Sequence, residues 1–494
     1  MVKYIMLGCD DMARKSNKRK RMICQKIGKI LSVAWIIISL AFFIMLSQIH
    51  ILPGKYMMIL LGIYAFITLI VFVLMLNPKI NLKTKMSSEI FSTIFLGILL
   101  LVCSYLYKTI DFMGNIKDKK YQIENYYVIV LENSHYEKIK DLKEKEIGIY
   151  ASTLDTQKES LQLLEKKITY QEKTYKDMIA LSEDLMAEKI DAIYINASYL
   201  SIISDYDETF ESKIKIIETI EIKIKNETVK KDLDVTKESF NLYISGIDVY
   251  GNIASVSRSD VNMIVTVNPI THKILLTSIP RDYYVRLHGT TGYRDKLTHA
   301  GIYGVDMSIA TIEDLLEIDI NYYARVNFTT LVDLVDAIGG IDVYSDYQFV
   351  TIHGGYEYQK GINHLNGAQA LSFSRERYAF ATGDIQRGKN QQAVIKAIIN
   401  KALSSKTMIT KYTSILNSIQ DSFQTNMGSN KIYDLVNMQL DKMPSWTIET
   451  ISLGGTGKSE YTYSYTGGRS YVMEPDWDTV NDAQEKIKNI MQEN

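Results

Sequence analysis

Three long apolar stretches, at about 30–52, 56–76 and 90–107, stand near the start of the chain. Each approaches the roughly 20 residues a helix needs to cross a bilayer. Their apolarity is uninterrupted, which core helices of a water-soluble fold would not need, so the pattern predicts three transmembrane helices. Beyond residue 120 the rhythm changes. The apolar runs Tyr126–Leu131 and Ile147–Tyr150 and the run Asp191–Ile195 alternate with helical patterns at 135–145, 155–167 and 175–189. Strands alternating with helices predict a small α/β domain over 115–232. No cluster of polar residues in it reads as a site, so it is expected to be a structural or partner-docking module. The Lys/Glu-rich segment 221–238 reads as a solvated linker or connecting strand.

From Asn241 the apolar runs become nearly continuous. Asn241–Ile247 predicts a buried strand ending at Asp248, and Val261–Val267 with Lys273–Ile279 predicts a hairpin turned by Asn268-Pro269. An amphipathic helix over 305–317, a strand Tyr322–Phe328, a helix over 329–337 and a strand after Gly339-Gly340 follow. Residues 407–443 read as two helices, 446–453 as a strand, 454–471 as a Tyr/Gly-rich loop and 478–492 as a helix that packs back onto the central domain. The resulting division is a basic tail (1–28), three spans (29–107), the accessory domain (115–232), a central domain of mixed α/β class (236–403) and a C-terminal extension (404–494).

Charge changes the picture in one respect. The net charge of −1 gives no global basic field for nucleic acid. Locally, Arg14–Arg21 is a basic run, Lys79, Lys83 and Lys85 lie between the second and third spans, and only Lys55 lies between the first and second. The positive-inside bias then puts the N-terminus in the cytoplasm and residues 108–494 outside. No short apolar run ends at a small-residue cleavage site, so a cleaved signal is not expected. All three cysteines (Cys9, Cys24, Cys103) precede the exported part, whose fold owes nothing to disulfides.

The densest candidate chemistry lies in Leu371–Gln391. Arg375 and Arg377 share a face if the residues before them form a strand. Asp384, Arg387 and Gln391 share a face of a helix that Asp384 could cap. Two guanidiniums about 4 Å apart repel by about 4 kcal/mol at an effective dielectric of 20, so an anion or a set of carboxylates between them is expected. Phosphate suits the guanidinium fork best. Asp248, Arg258, Asp260 and Arg281 stand at the ends of predicted strands, where rigid scaffolds place functional groups. His299, alone among Leu297-Thr298-His299-Ala300, reads as a structural residue. Gly457-Lys458-Ser459 lacks the glycine a phosphate-binding loop needs at 452, and no zinc spacing or Gly-x-Ser-x-Gly elbow occurs.

Gly246-Ile247-Asp248, Arg258-Ser259-Asp260, Pro280-Arg281-Asp282, Val326-Asn327-Phe328, Gly339-Gly340-Ile341-Asp342-Val343 and Arg375-Glu376-Arg377 through Asp384, Arg387 and Gln391 occur in that order. Over about 240–403 the chain resembles the LytR–CpsA–Psr family of cell-wall assembly enzymes. With its three spans and accessory domain it resembles the capsule-attachment branch. The resemblance implies a mixed central sheet flanked by helices, an apolar channel for a polyprenyl chain, and transfer of an anionic glycopolymer from polyprenyl pyrophosphate to a peptidoglycan hydroxyl. It implies Mg²⁺ (or Mn²⁺) on Asp248 and Asp260. Arg258, Arg281, Lys296, Arg375, Arg377, Arg387 and Gln391 would surround the pyrophosphate, with Arg258 and Arg281 also acting in catalysis. The residues after Lys296 depart from the commoner family form. Asp384 is the candidate base for the acceptor hydroxyl. A lipid pyrophosphatase would use the same residues, and a membrane-bound regulatory or wall-binding protein is the alternative of a different class. A DNA reader would need its groove-fitting element in residues 1–28, whose basic run already serves topology.

Overall fold

The computed structural model describes residues 2–493 apart from 50–53, 119–120, 153, 226–232, 248–252, 254, 405–414 and 416–422. Three helices open the chain: α1 (Val2–Ile49), α2 (Gly54–Leu76) and α3 (Leu82–Asp118). Arg19–Gln48, Tyr56–Leu76 and Leu82–Lys108 within them are long and apolar enough to cross a membrane. Most of their large side chains, such as Ile37, Phe66 and Leu101, are exposed. Among the buried ones, Trp35 packs with Val71, Met75 and Leu96. Apolar residues left outward in this way suit a hydrocarbon solvent.

The remainder is built on two sheets. The first runs in the order β3-β2-β4-β1-β5, with β1 (Tyr121–Leu131), β2 (Glu146–Tyr150), β3 (Gln171–Tyr175), β4 (Ala192–Asn196) and β5 (Ile214–Lys225). Helices Gln157–Glu165, Met178–Met186 and Leu200–Tyr206 cover it. Two expectations are corrected here. The stretch 135–145 holds only a short 3-10 turn, Ile139–Leu142. Gln171–Tyr175, between the helices expected over 155–167 and 175–189, is an edge strand, and the second helix starts only at Met178; its polar, half-solvated face carried no strand signal.

The central sheet runs in the order β10-β9-β6-β7-β8-β11: β6 (Phe240–Ile247), β7 (Ser259–Asn268), β8 (Lys273–Ile279), β9 (Tyr322–Val326), β10 (Phe423–Thr425) and β11 (Thr447–Ser452). It is mixed: β6/β9 and β8/β11 are parallel, while β6/β7, β7/β8 and β9/β10 are antiparallel. Its middle strands are apolar without alternation because both faces are covered. On one face Ile264 and Leu275 pack with Ile309 and Ile312 of helix Val305–Leu316 and with Val480 and Ile487 of helix Trp477–Gln492. On the other, Gln392 of helix Asp384–Leu403 donates to the carbonyls of Leu276 (3.0 Å) and Ile451 (2.6 Å). The β7–β8 turn is set by Asn268, whose Oδ1 accepts from the N–H groups of Ile270 and Thr271, both at 3.0 Å.

Three further expectations change. Residues Leu371–Ser374 are helical, within Gly367–Arg375, where Asn366 and Gln369 form a capping box. Asp384 does not cap its helix; Gly383, at φ +51°, holds that position. Beyond the expected packing of the last helix, the described chain after 404 supplies both edge strands of the central sheet, β10 and β11. Its Tyr/Gly-rich stretch contains a hairpin of Gly455–Glu460 with Ser470–Pro475, and of the two helices expected over 407–443 the described residues include Ser429–Lys442.

Candidate active site

The functional side chains converge because several chain segments end at one edge of the central sheet. β7 begins at Ser259, so Arg258 and Asp260 flank its first residue. The backbone there runs so close to Gly301 that a Cβ on Gly301 would lie 2.6 Å from the Ser257 carbonyl oxygen. Only glycine permits this approach. β8 delivers Arg281 at its exit, and Thr298 N donates to the Arg281 carbonyl at 2.8 Å. Arg375 closes helix Gly367–Arg375, and its guanidinium lies 4.2 Å from the Phe328 ring centroid. Buried Glu376 then fixes the chain between the two arginines: Oε1 accepts from Tyr378 N (2.8 Å) and Ala379 N (3.0 Å), and Oε2 from Ile352 N (2.8 Å).

One cavity of about 260 Å³ is lined by Arg258, Asp260, Arg281, Arg375, Arg377 and Arg387, together with Gln391. Ile244, Val326, Phe328, Leu331 and Ile395 are among its apolar lining. Its lining thus combines cationic and apolar groups. Lys296 lies elsewhere. It lines a second, larger cavity, with Nζ 3.8 Å from Asp282 Oδ1 and 3.9 Å from Asp205 Oδ2. Asp248 falls outside the described residues.

Carboxylates hold the arginines together. Arg281 Nη1 donates to Asp260 Oδ1 at 3.0 Å, and its Nε lies 3.5 Å from Asp282 Oδ2 and 3.9 Å from Asp384 Oδ2. Arg387 Nη2 lies 3.3 Å from Asp384 Oδ1, and Arg258 Nη1 donates to Asp205 Oδ2 at 2.8 Å. Burial alone would raise the Asp260 carboxyl, but the guanidiniums of Arg281, Arg258 and Arg387 hold it well below the ordinary range. Asp384 is likewise lowered, burial being outweighed by Arg387 and Arg281. Asp282 goes the other way. Its burial outweighs Arg281 and Lys296, and a hydrogen bond with Asp384 adds to the rise. Arg281 is driven further up, the loss of solvation being outweighed by Asp260, Asp282 and Asp384, whereas Arg387 is lowered by burial and by the nearby Arg281.

Among the described residues, no group of three or more His, Cys, Asp and Glu side chains is placed to hold a metal ion. Asp260 nonetheless fits one as a single ligand. It is ionised, it lines the cavity, and the donors Arg281 and Thr298 both use Oδ1, which leaves Oδ2. Mg²⁺ needs only one or two carboxylates when phosphate oxygens and water complete its shell.

Sequence reasoning did not assign Asp205, Asp282 or Tyr378. Asp282 adjoins an assigned arginine and could have been suspected; Asp205 belongs to the accessory domain and gave no signal. His299 was read as structural. Its Nδ1 does contact Asp295 Oδ1 at 2.7 Å, yet its Nε2 is buried with no hydrogen-bond partner among the described residues.

A family model described as the LytR_cpsA_psr family matches residues 193–485, more than half of the chain. The chain is 35% identical over 231 residues to the polyisoprenyl-teichoic acid–peptidoglycan teichoic acid transferase TagU of Bacillus cereus, covering 46% of this chain and 74% of that one. It is 34% identical over 264 residues to the protein of the same name from Enterococcus faecalis, covering 53% and 83%. Among solved structures it is similar to B. subtilis TagV, with 28% identity and a TM-score of 0.44 over 52% of this chain and 98% of that one.

Proposed function

The chain belongs to the LytR–CpsA–Psr family, and from that premise we propose that it is a membrane-anchored glycopolymer phosphotransferase. Its donor is a glycopolymer, of the capsule or teichoic-acid kind, carried on polyprenyl pyrophosphate. Its acceptor is a hydroxyl of peptidoglycan, met outside the membrane by residues 108–494. The observation that carries this reading is the cavity itself: five arginines, Asp260 and Gln391 share its lining with apolar side chains. A polyprenyl pyrophosphate likewise joins a doubly charged head to a hydrocarbon tail.

The chemistry follows from charge. The acceptor oxygen attacks the phosphorus that bears the glycan, and the P–O bond to the lipid's phosphate breaks. Polyprenyl monophosphate leaves with the electrons of that bond. Charge grows on the leaving and non-bridging oxygens, where Arg258, Arg281, Arg375, Arg377 and Arg387 stabilise it in a partly dry site. Gln391 orients the head by hydrogen bonding. Asp384, kept ionised by Arg387 and Arg281, takes the hydroxyl proton. Lys296, among the carboxylates of the adjoining cavity, balances charge at its edge. Mg²⁺ (or Mn²⁺), held through Asp260 and Asp248, supplies further neutralisation of the pyrophosphate when bound.

The test is to incubate the full chain in detergent with a polyprenyl-pyrophosphate oligosaccharide, peptidoglycan and Mg²⁺. Polyprenyl monophosphate together with glycan on the peptidoglycan is the expected product pair. Lipid monophosphate with free phosphorylated glycan would instead assign a pyrophosphatase. No turnover would leave a binding or regulatory role.

A further inference from the structure

Arg325 belongs to β9, is only 2% exposed and stands outside the lining of the arginine cavity. Its Nη2 donates to the Ser255 carbonyl at 2.8 Å, and its Nη1 is buried with no hydrogen-bond partner among the described residues. The ionisable groups that act on it there are the phenols of Tyr323 and Tyr243, with no carboxylate among them. Burial pushes its pKa down to about 10, so the guanidinium is still charged at neutral pH. An apolar side chain of that length would escape the cost of a desolvated, unpaired cation. A local rule broken in a packed core points to a task performed nearby.

Ser255, the residue that Arg325 grips, is also held by the accessory domain. It forms a parallel bridge with Ile123 of β1, and the next residue, Val256, donates its N–H to the Ile123 carbonyl at 2.8 Å. Asn125 of the same strand donates from Nδ2 to the Ser255 Oγ at 3.2 Å. A second anchor follows at Ser259, whose Oγ lies 2.8 Å from the Ser245 Oγ and 3.0 Å from the Tyr243 hydroxyl. Arg258, which lines the arginine cavity, stands between the two anchors. So short a segment, fixed at both ends, leaves the Arg258 backbone little freedom.

We propose that Arg325 and strand β1 of the accessory domain together clamp Ser255 and so position Arg258 for the pyrophosphate. Arg325 and Asn125 are then positioning residues, and neither touches the substrate. The accessory domain reaches Arg258 twice, at its guanidinium through Asp205 and at its backbone through β1. Releasing the clamp lets the Arg258 backbone shift, and a displacement of about 1 Å at such a group can cost about 10²-fold in rate. This inference rests on the reading of the arginine cavity as a pyrophosphate site.

The test is calorimetric binding of inorganic pyrophosphate to the full chain in detergent, for the wild type, Arg325→Met, Arg258→Ala and the double variant. Unfolding midpoints of all four are measured alongside. Arg325→Met should weaken binding by about fivefold or more. Added to Arg258→Ala it should weaken binding by less than about twofold, because the residue it acts through is gone. A loss of packing alone would show equally in both backgrounds. If Arg325→Met does not fold, Asn125→Leu, at a half-buried position of the accessory domain, takes its place. Its expected loss is about threefold, the scale of one hydrogen bond, and it too should vanish without Arg258. Wild-type affinity in the single variant, or a loss that recurs in full without Arg258, overturns the inference and leaves the transferase reading standing. Pyrophosphate that fails to bind the wild type overturns that reading, and this inference with it.

Discussion

Asp205 of the accessory domain accepts a 2.8 Å hydrogen bond from Arg258 of the central domain, 53 residues away in sequence. The carboxylate therefore occupies a guanidinium that a phosphate would need. The Asp205 side chain is 42% exposed, so solvent screens the pair, and an ion pair of this kind contributes about 1 kcal/mol or less. Asp205→Asn should remove a competitor for Arg258 and tighten inhibition by inorganic pyrophosphate, by up to about fivefold for 1 kcal/mol. Weaker inhibition would mean that Asp205 orients Arg258 instead of competing for it.

Arg281 has a different kind of partnership, with three buried or half-buried carboxylates around one guanidinium. Lysine keeps the charge but cannot bridge Asp260, Asp282 and Asp384 at once. Arg281→Lys should lose about 10²- to 10³-fold in lipid monophosphate release, the scale of removing a transition-state donor. Arg281→Ala should in addition cost about 3–5 kcal/mol in urea unfolding, because buried carboxylates are left unpaired. Wild-type turnover by Arg281→Lys would remove this residue from the site.

Asp260 and Asp282 should respond oppositely to pH. The folded Asp260 carboxyl lies below its unfolded value, so its contribution is full above the unfolded value, near 3.9, and lost as pH falls through the folded one. The folded Asp282 carboxyl lies above its unfolded value, so its contribution is full below that value and lost as pH rises through the folded one. Asp260→Asn should therefore trail the wild type most at neutral pH and close the gap only in strong acid. Asp282→Asn should gain on the wild type as pH rises from about 4 toward neutral. Unfolding midpoints measured across that range check the pair, and a common sign for both variants would contradict the charge arrangement.

Much of the central domain was legible because its strands are buried on both faces and so carry continuous apolar runs; Asn268-Pro269 marked the turn between two of them. Leu371–Ser374 misled because a run that short fits a strand or a helix equally. The capping pair Asn366 and Gln369 was the signal that would have decided it. Gln171–Tyr175 was illegible because an edge strand with a polar face has no apolar period to read. The arginines were legible through their family pattern. Asp205 and the unpartnered nitrogen of His299 were not, since both are facts of tertiary contact: one spans two domains, and the other depends on Asp295 fixing the ring.

Metal dependence tests Asp260 from another side. With Asp248 and Asp260 sharing an Mg²⁺, Asp260→Asn should raise the Mg²⁺ concentration for half-maximal turnover by at least about tenfold, and a chelator should stop the wild type reversibly. An unchanged titration in Asp260→Asn would move the metal away from this carboxylate.

The apolar lining of the arginine cavity is the part of the proposal that concerns lipid alone. Ile395 belongs to helix Asp384–Leu403, two turns beyond Arg387, and is part of the cavity's apolar lining. It is only partly buried, so a larger side chain there can grow into the cavity without overpacking the core. The larger indole of tryptophan would project into a space of about 260 Å³ and narrow it. Ile395→Trp should therefore abolish co-purification of polyprenyl phosphates, read by solvent extraction and mass spectrometry, and should weaken turnover of long-chain donors. The arginines are untouched, so inhibition by inorganic pyrophosphate should persist at its wild-type concentration. Loss of lipid with retained pyrophosphate binding separates the two halves of the cavity. Undiminished lipid in Ile395→Trp would place the polyprenyl chain on some other surface.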